Sequence, residues 1–247
     1  MSLERHTNMN LSTFLRRPAD TVAREKLLHA KASYEMRLHA ARLGAQIQMT
    51  EPEIDNRGYD FTLILDHYNF PVQNKTAIRP GGSRNWKIRA SLLQPCFADR
   101  DLVPELDGFK VGGDSGGASG GVLLHLIDTR ASDEDNKLTV AYKYLDIFYI
   151  VAVAARIFTT GCFTADAAIE FLRLLRNSQQ HAMLHVPEKY FLPISSPAAI
   201  LAFRLHLPIS NYVSCSKPSF DLSTNNQPNS VMADLWNSSI APWVERS

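Results

Sequence analysis

Cysteine is scarce in this 247-residue chain: three residues, Cys96, Cys162 and Cys215, odd in number and far apart. That excludes a disulfide framework and a zinc ribbon, and it fits a reducing compartment. Long apolar runs are missing too. The longest, Ile147 to Ala155, has nine residues, against about 20 for a membrane helix. The first thirty residues carry Arg16, Arg17, Arg24 and Lys26 but no apolar core of the signal-peptide kind. A soluble, cytoplasmic protein with no membrane partner is therefore expected. Charge of one sign is not in excess, since 26 Lys and Arg face 25 Asp and Glu for a net charge of +1. No global basic field announces nucleic acid, so any such binding has to come from a local patch. No internal repeat is visible.

What is present is ordinary globular composition, 45% hydrophobic and 21% charged, enough for one sizeable domain with or without an appended subdomain. Residues 1–19 are polar and mixed, and a loosely held start is expected there. From Asp20 to Leu43 the apolar residues Val22, Leu27, Leu28, Tyr34, Leu38, Ala41 and Leu43 recur at helical spacing, with Gly44 as terminator. Ala45 to Met49 suits a short strand, and 51–58 a loop. Residues 99–121 hold seven of the 12 glycines and form a long loop, flexible or functional. Strands are expected over 121–128 and 137–144. Residues 145–157 fit either a buried strand or a core helix. Thr164 suits an N-cap for a helix ending near Asn177 or Ser178, and Ser196-Pro197 opens a short helix to about Leu205. The expected fold is α/β, with a mixed central sheet between two helical layers and a helical extension after 179. The divisions read from the chain are 1–19, 20–178 and 179–247.

The stretch Tyr59 to Ala77 organises this pattern. Two apolar runs, 61–65 and 70–72, flank a polar turn at Asp66 to Asn69, which reads as a β-hairpin. Side chains alternate along a strand, so Gln73 and Lys75 share a face and Asn74 takes the other. Asp60 opens the first strand near the end of the second. An acid, an amide and an ammonium then converge, the arrangement that a divalent metal and an attacking water need. The plain alternative is a strand-start acid and the polar end of an edge strand.

Upstream, the helix carries Glu35 in Ser33-Tyr-Glu-Met-Arg37. With Gly58-Tyr-Asp60-Phe61 and Val72-Gln73-Asn74-Lys75 it resembles the core motif of the PD-(D/E)xK nuclease superfamily. The likeness is to the type IV restriction endonuclease branch, in which glutamine replaces the second acid. It covers roughly residues 25 to 90, extended to the strand at 121–128. The resemblance implies a three-layer α/β/α restriction-endonuclease-like core and a Mg²⁺- or Mn²⁺-dependent endonuclease acting on DNA, in bacterial defence or restriction. Asp60 would be the principal metal ligand, with oxygens from the Gln73 side-chain carbonyl and the Asn74 backbone carbonyl, and Glu35 would complete the shell or hold its waters. Lys75 would orient or deprotonate the attacking water. Because Gln73 removes a negative charge from that pattern, the rival expectation is an inactive module of the same fold that binds nucleic acid or a protein partner. A homodimer is compatible with both.

Arg79, Arg84, Lys87 and Arg89, with Trp86 between them, follow the hairpin directly and are the best candidates for phosphate contacts. The bland reading is a solvated helix face. Asp128 with Asp135-Asn-Lys137 copies the spacing of the motif, but Ser132 to Asn136 is polar throughout and reads as a solvated turn. Asp55 and Asp66 lie in a loop and a turn and are poorer ligands. Gly-Asp114-Ser115-Gly-Gly resembles a serine-protease string, yet it sits too early in the chain for that family's order of residues. His181 and His185 lie four apart, show no acidic partner, and are read as strand or loop residues.

Overall fold

The computed structural model describes residues 10–52, 58–65, 68–96, 103–110, 117–134, 137–156, 159–206, 238 and 241–244. In chain order these form α1 (Leu11–Arg16), α2 (Thr21–Arg42), β1 (Ile47–Thr50), β2 (Phe61–Leu65), β3 (Tyr68–Arg79), β4 (Asn85–Arg89) and α3 (Ala90–Leu93). They continue through β5 (Gly121–Asp128), α4 (Thr129–Glu134), β6 (Val140–Asp146), α5 (Ile147–Ala154), α6 (Ala165–Asn177), β7 (Met183–Pro187), β8 (Leu192–Ile194) and α7 (Ala199–His206). Asp55, Asp66, Asp114, Ser115, Asp135, Cys215 and Trp236 lie outside the described residues, as do 97–102 and 111–116 of the glycine-rich stretch.

The protein is mixed α/β, with a six-stranded sheet in the order β1-β2-β3-β5-β6-β8. β3 and β5 run parallel, in register from Val72 with Gly121 to Arg79 with Asp128, and the other neighbours are antiparallel. A parallel pair needs a crossover, and here β4 and α3 lie within it. β4 pairs with β7 in a separate two-stranded ribbon. β5 is buried at every position but Asp128, the pattern of a central strand covered on both faces. Gly121 opens it because a Cβ there would meet Phe70 Cζ and the Tyr144 hydroxyl, each at 2.8 Å.

α2 lies over one face. It buries Leu28, Ala32, Met36 and Ala40, four residues apart and half of them small, which lets the helix sit close to the strands. Leu27, Tyr34 and Leu38, which carried the helical signal in the sequence, are exposed instead. The other face meets the turn after β7, where Glu188 pairs with Arg79 of β3 and Lys143 of β6. Tyr190 of that turn stacks on Phe171 of α6.

Within the ambiguous stretch 145–157, Leu145 and Asp146 end β6 and Ile147–Ala154 form helix α5, whose eight residues are all buried. Asp146 caps it, Oδ1 accepting the Tyr149 N–H at 2.7 Å. α6 begins at the expected cap, with Thr164 Oγ1 accepting the Ala167 N–H. Two readings need correction. The segment after 179 is not simply helical: β7 completes the ribbon and β8 is the sixth strand of the main sheet. Within the supposedly loose start, α1 buries Leu15 against Leu28 and Ile127.

Candidate active cleft

β2 pairs with β3 only from Tyr68 to Val72, although β3 runs on to Arg79. Beyond Val72 the edge that faced β2 has no strand partner among the described residues. An open cleft of about 1080 Å³ runs along this edge, with the start of α2 on one side and Gly82 and Ser83 on the other. Gly82 is held at φ +77°, and a Cβ there would come within 2.7 Å of the Ile78 carbonyl, so only glycine closes this wall without displacing β3.

Asp60, Gln73, Asn74 and Lys75 all line the cleft. The Asp60 N–H donates to the Val72 carbonyl at 2.9 Å, and its carboxylate accepts the Asn74 backbone N–H. The acid is thereby fixed at the open edge. Gly58, at φ +76°, delivers it: a Cβ at this position would crowd Arg89 Cβ at 3.3 Å.

Asn74 points its side chain at α2, with Nδ2 3.5 Å from His29 Nδ1 and Oδ1 3.2 Å from His125 Nε2. Alternation then sends Gln73 and Lys75 to the opposite face. Gln73 is buried, and its Oε1 has no hydrogen-bond partner among the described residues. An orphaned carbonyl oxygen on a residue that lines the same cleft as Asp60 suits a hard cation, which takes oxygen ligands and keeps several waters. Among the described residues no cluster of three His, Cys, Asp or Glu side chains could hold a metal unaided, so a cation here would depend on the amide oxygen and water besides Asp60. The Asn74 side-chain amide is taken up by His29 and His125, so any oxygen from this residue would be its backbone carbonyl.

Glu35 does not join this group. Its carboxylate takes Lys31 Nζ at 2.6 Å, the Ser196 hydroxyl at 2.7 Å and the Tyr142 hydroxyl at 3.4 Å. Those bonds tie α2 to β6 and to the residues just before α7. The physical reason is helical spacing: position 29, nearly two turns earlier, is the one that meets the β3 edge.

The basic segment differs from its bland reading. It is strand β4 rather than a helix face, with alternating burial. Trp86 points inward and packs edge-on against Phe191 at 5.3 Å, so it is a core residue and cannot stack on a base. Arg84 and Lys87 are exposed, Arg89 lies behind Gly58, and Arg79 is held by Glu188 and the Gly81 carbonyl.

Three cleft residues escaped the sequence reading: His29, His125 and Glu51. His125 alone left a trace, as the one polar residue inside the apolar run Val122 to Ile127. It is fully buried, and burial pushes its pKa down to about 3, helped by the charges of His29 and Lys31. The ring is therefore neutral. Compared with known proteins, the chain matches no family model, and no curated protein or solved structure matches it significantly.

Proposed function

We propose that the chain is a metal-dependent nuclease of the PD-(D/E)xK type with a restriction-endonuclease-like core, hydrolysing phosphodiester bonds in DNA with Mg²⁺ or Mn²⁺. The observation that carries this reading is the meeting of Asp60, Gln73 and Lys75 in one open cleft, where β3 leaves its partner strand. A bound cation would supply charge neutralisation at the phosphoryl oxygens and a more acidic water. Asp60 and Gln73 Oε1 would hold it. Lys75, two residues along the same face as Gln73, would orient the attacking water and offset charge growing on the phosphate. Arg84 and Lys87, exposed on β4, suit the duplex backbone beyond the cut.

The test is cleavage of plasmid DNA in Mg²⁺ or Mn²⁺ by the wild type and by Asp60→Ala and Lys75→Ala. Cleavage by the wild type and its loss in both folded variants is expected. Persistent cleavage in both variants removes the assignment. One observation favours a second reading, that of a non-catalytic nucleic-acid- or protein-binding module: position 73 carries an amide where an acid would bind metal more tightly. Absence of Mn²⁺ binding at millimolar concentration, with duplex binding retained, would select it.

A further inference from the structure

Asn74 is the hub of a polar chain that crosses the wall of the cleft. His125, buried and neutral, has one ring proton, and its Nε2 lies against Asn74 Oδ1, an acceptor. The proton therefore sits on Nε2, and Nδ1 is left buried without a partner among the described residues. Asn74 Nδ2 then donates to His29 Nδ1, and His29 Nε2 faces Glu51 Oε1 at 3.3 Å. Glu51 is mostly exposed, so this last contact is the one that a substrate can displace.

The pair behind His29 is adaptable. The Asn74 amide offers one donor and one acceptor, and reversing it presents an oxygen to His29 and an NH₂ to His125. His125 can meet that NH₂ by carrying its proton on Nδ1, because no partner among the described residues holds Nδ1. Both the neutral and the cationic form of His29 thus find a matching hydrogen bond. Position matters equally. His29 reaches the open β3 edge from the α2 face, and Lys75 lies on the opposite face. An in-line displacement at phosphorus needs the attacking and leaving oxygens on opposite sides.

We infer that His29 is the acid that hands its Nε2 proton to the leaving oxygen, with Asn74 and His125 as the positioning residues behind it. This inference rests on the nuclease reading above. In the step, a water oxygen bonds to phosphorus and the bond to the bridging oxygen breaks, its electron pair staying on that oxygen. The His29 proton moves to the leaving oxygen. The proton shed by the water goes to solvent, which later reprotonates His29. Water and a phosphodiester become a phosphomonoester and an alcohol.

The test uses two duplexes of the same sequence in Mg²⁺ or Mn²⁺. One is ordinary DNA. In the other, the leaving bridging oxygen at the mapped cut, identified from the wild-type product ends, is replaced by sulfur. A thiolate leaves without a proton, so only the oxygen ester needs the acid. His29→Gln and His29→Asn should cut the oxygen duplex about 10²–10⁴-fold more slowly than wild type and the sulfur duplex at the wild-type rate. Equal slowing on both duplexes would make His29 merely structural and overturn the inference, as would no slowing on either. A wild type that cuts neither duplex would instead remove the nuclease reading, and the inference with it.

Discussion

The carboxylate of Asp60 accepts the backbone N–H of Asn74, which ties the acid to the first stretch of β3 that β2 leaves uncovered. A short β2 beside a long β3 thus produces both an open edge and a fixed carboxylate at its head. The neighbouring Gln73 brings a carbonyl oxygen that no donor satisfies among the described residues.

Gln73→Glu should change metal affinity and stability in opposite directions. A second carboxylate, buried near Asp60, repels it and is poorly solvated, so the metal-free protein should melt lower, by about 2–4 °C for each kcal/mol lost. Mn²⁺ should reverse that loss and bind more tightly than to wild type, as read by titration calorimetry. An unchanged affinity would argue against Gln73 as a ligand position.

Glu35→Ala should act on stability alone. It removes the acceptor of the Ser196 hydroxyl and of Lys31, a loss of about 1–3 kcal/mol measurable by urea unfolding. Mn²⁺ binding should stay at the wild-type level. A weakened metal site would return Glu35 to the cleft.

Much of the framework was legible because local signals agreed with the fold. The apolar runs at 61–65 and 121–128, the Thr164 cap and the Gly44 stop each matched an element of the structure. The long helix was found for a partly wrong reason, since Leu27, Tyr34 and Leu38 face outward and the small residues Ala32 and Ala40 do the packing. What the sequence could not convey was rotation and register. Whether position 29 or 35 of a helix meets a given strand depends on where the helix crosses the sheet. Similarly, Trp86 among cations resembles a stacking platform until strand alternation turns it inward. Asp146 could have decided the 145–157 ambiguity, because an aspartate directly before an apolar run is a helix-cap signal.

His125 should give the protein an acid-sensitive stability. Its folded pKa is depressed to about 3 by burial, whereas the unfolded chain takes up a proton near the ordinary value of about 6.5. The unfolded state then binds more protons, so stability is full above about pH 6.5 and declines as pH falls towards 3. One such group contributes a slope of roughly 1.4 kcal/mol per pH unit. Urea unfolding at successive pH values should show this slope, and His125→Gln should lower it by about that amount. An unaltered acid limb in the variant would mean that other groups set it.

The strongest single dependence should lie away from the cleft, at Arg204. Its guanidinium lies 3.3 Å from the Phe70 ring centre and 4.5 Å from that of Phe148. It donates to the Ser119 carbonyl at 3.0 Å and faces Asp146 Oδ2 at 3.4 Å. Asp146 is only 1% exposed, and it also caps α5 and accepts the Tyr144 hydroxyl at 2.7 Å. Removing the cation leaves a buried carboxylate without its counter-charge, which costs about 3–5 kcal/mol. Arg204→Ala should therefore unfold at much lower urea, and Arg204→Lys should recover only part, because an ammonium cannot stack between two rings as a planar guanidinium does. Neutralising both partners, Arg204→Met with Asp146→Asn, should be less damaging than Arg204→Met alone. If the double variant were as unstable as the sum of Arg204→Met and Asp146→Asn, the two charges would not be coupled, and Arg204 would act through its packing on Phe70 and Phe148 and its bond to the Ser119 carbonyl.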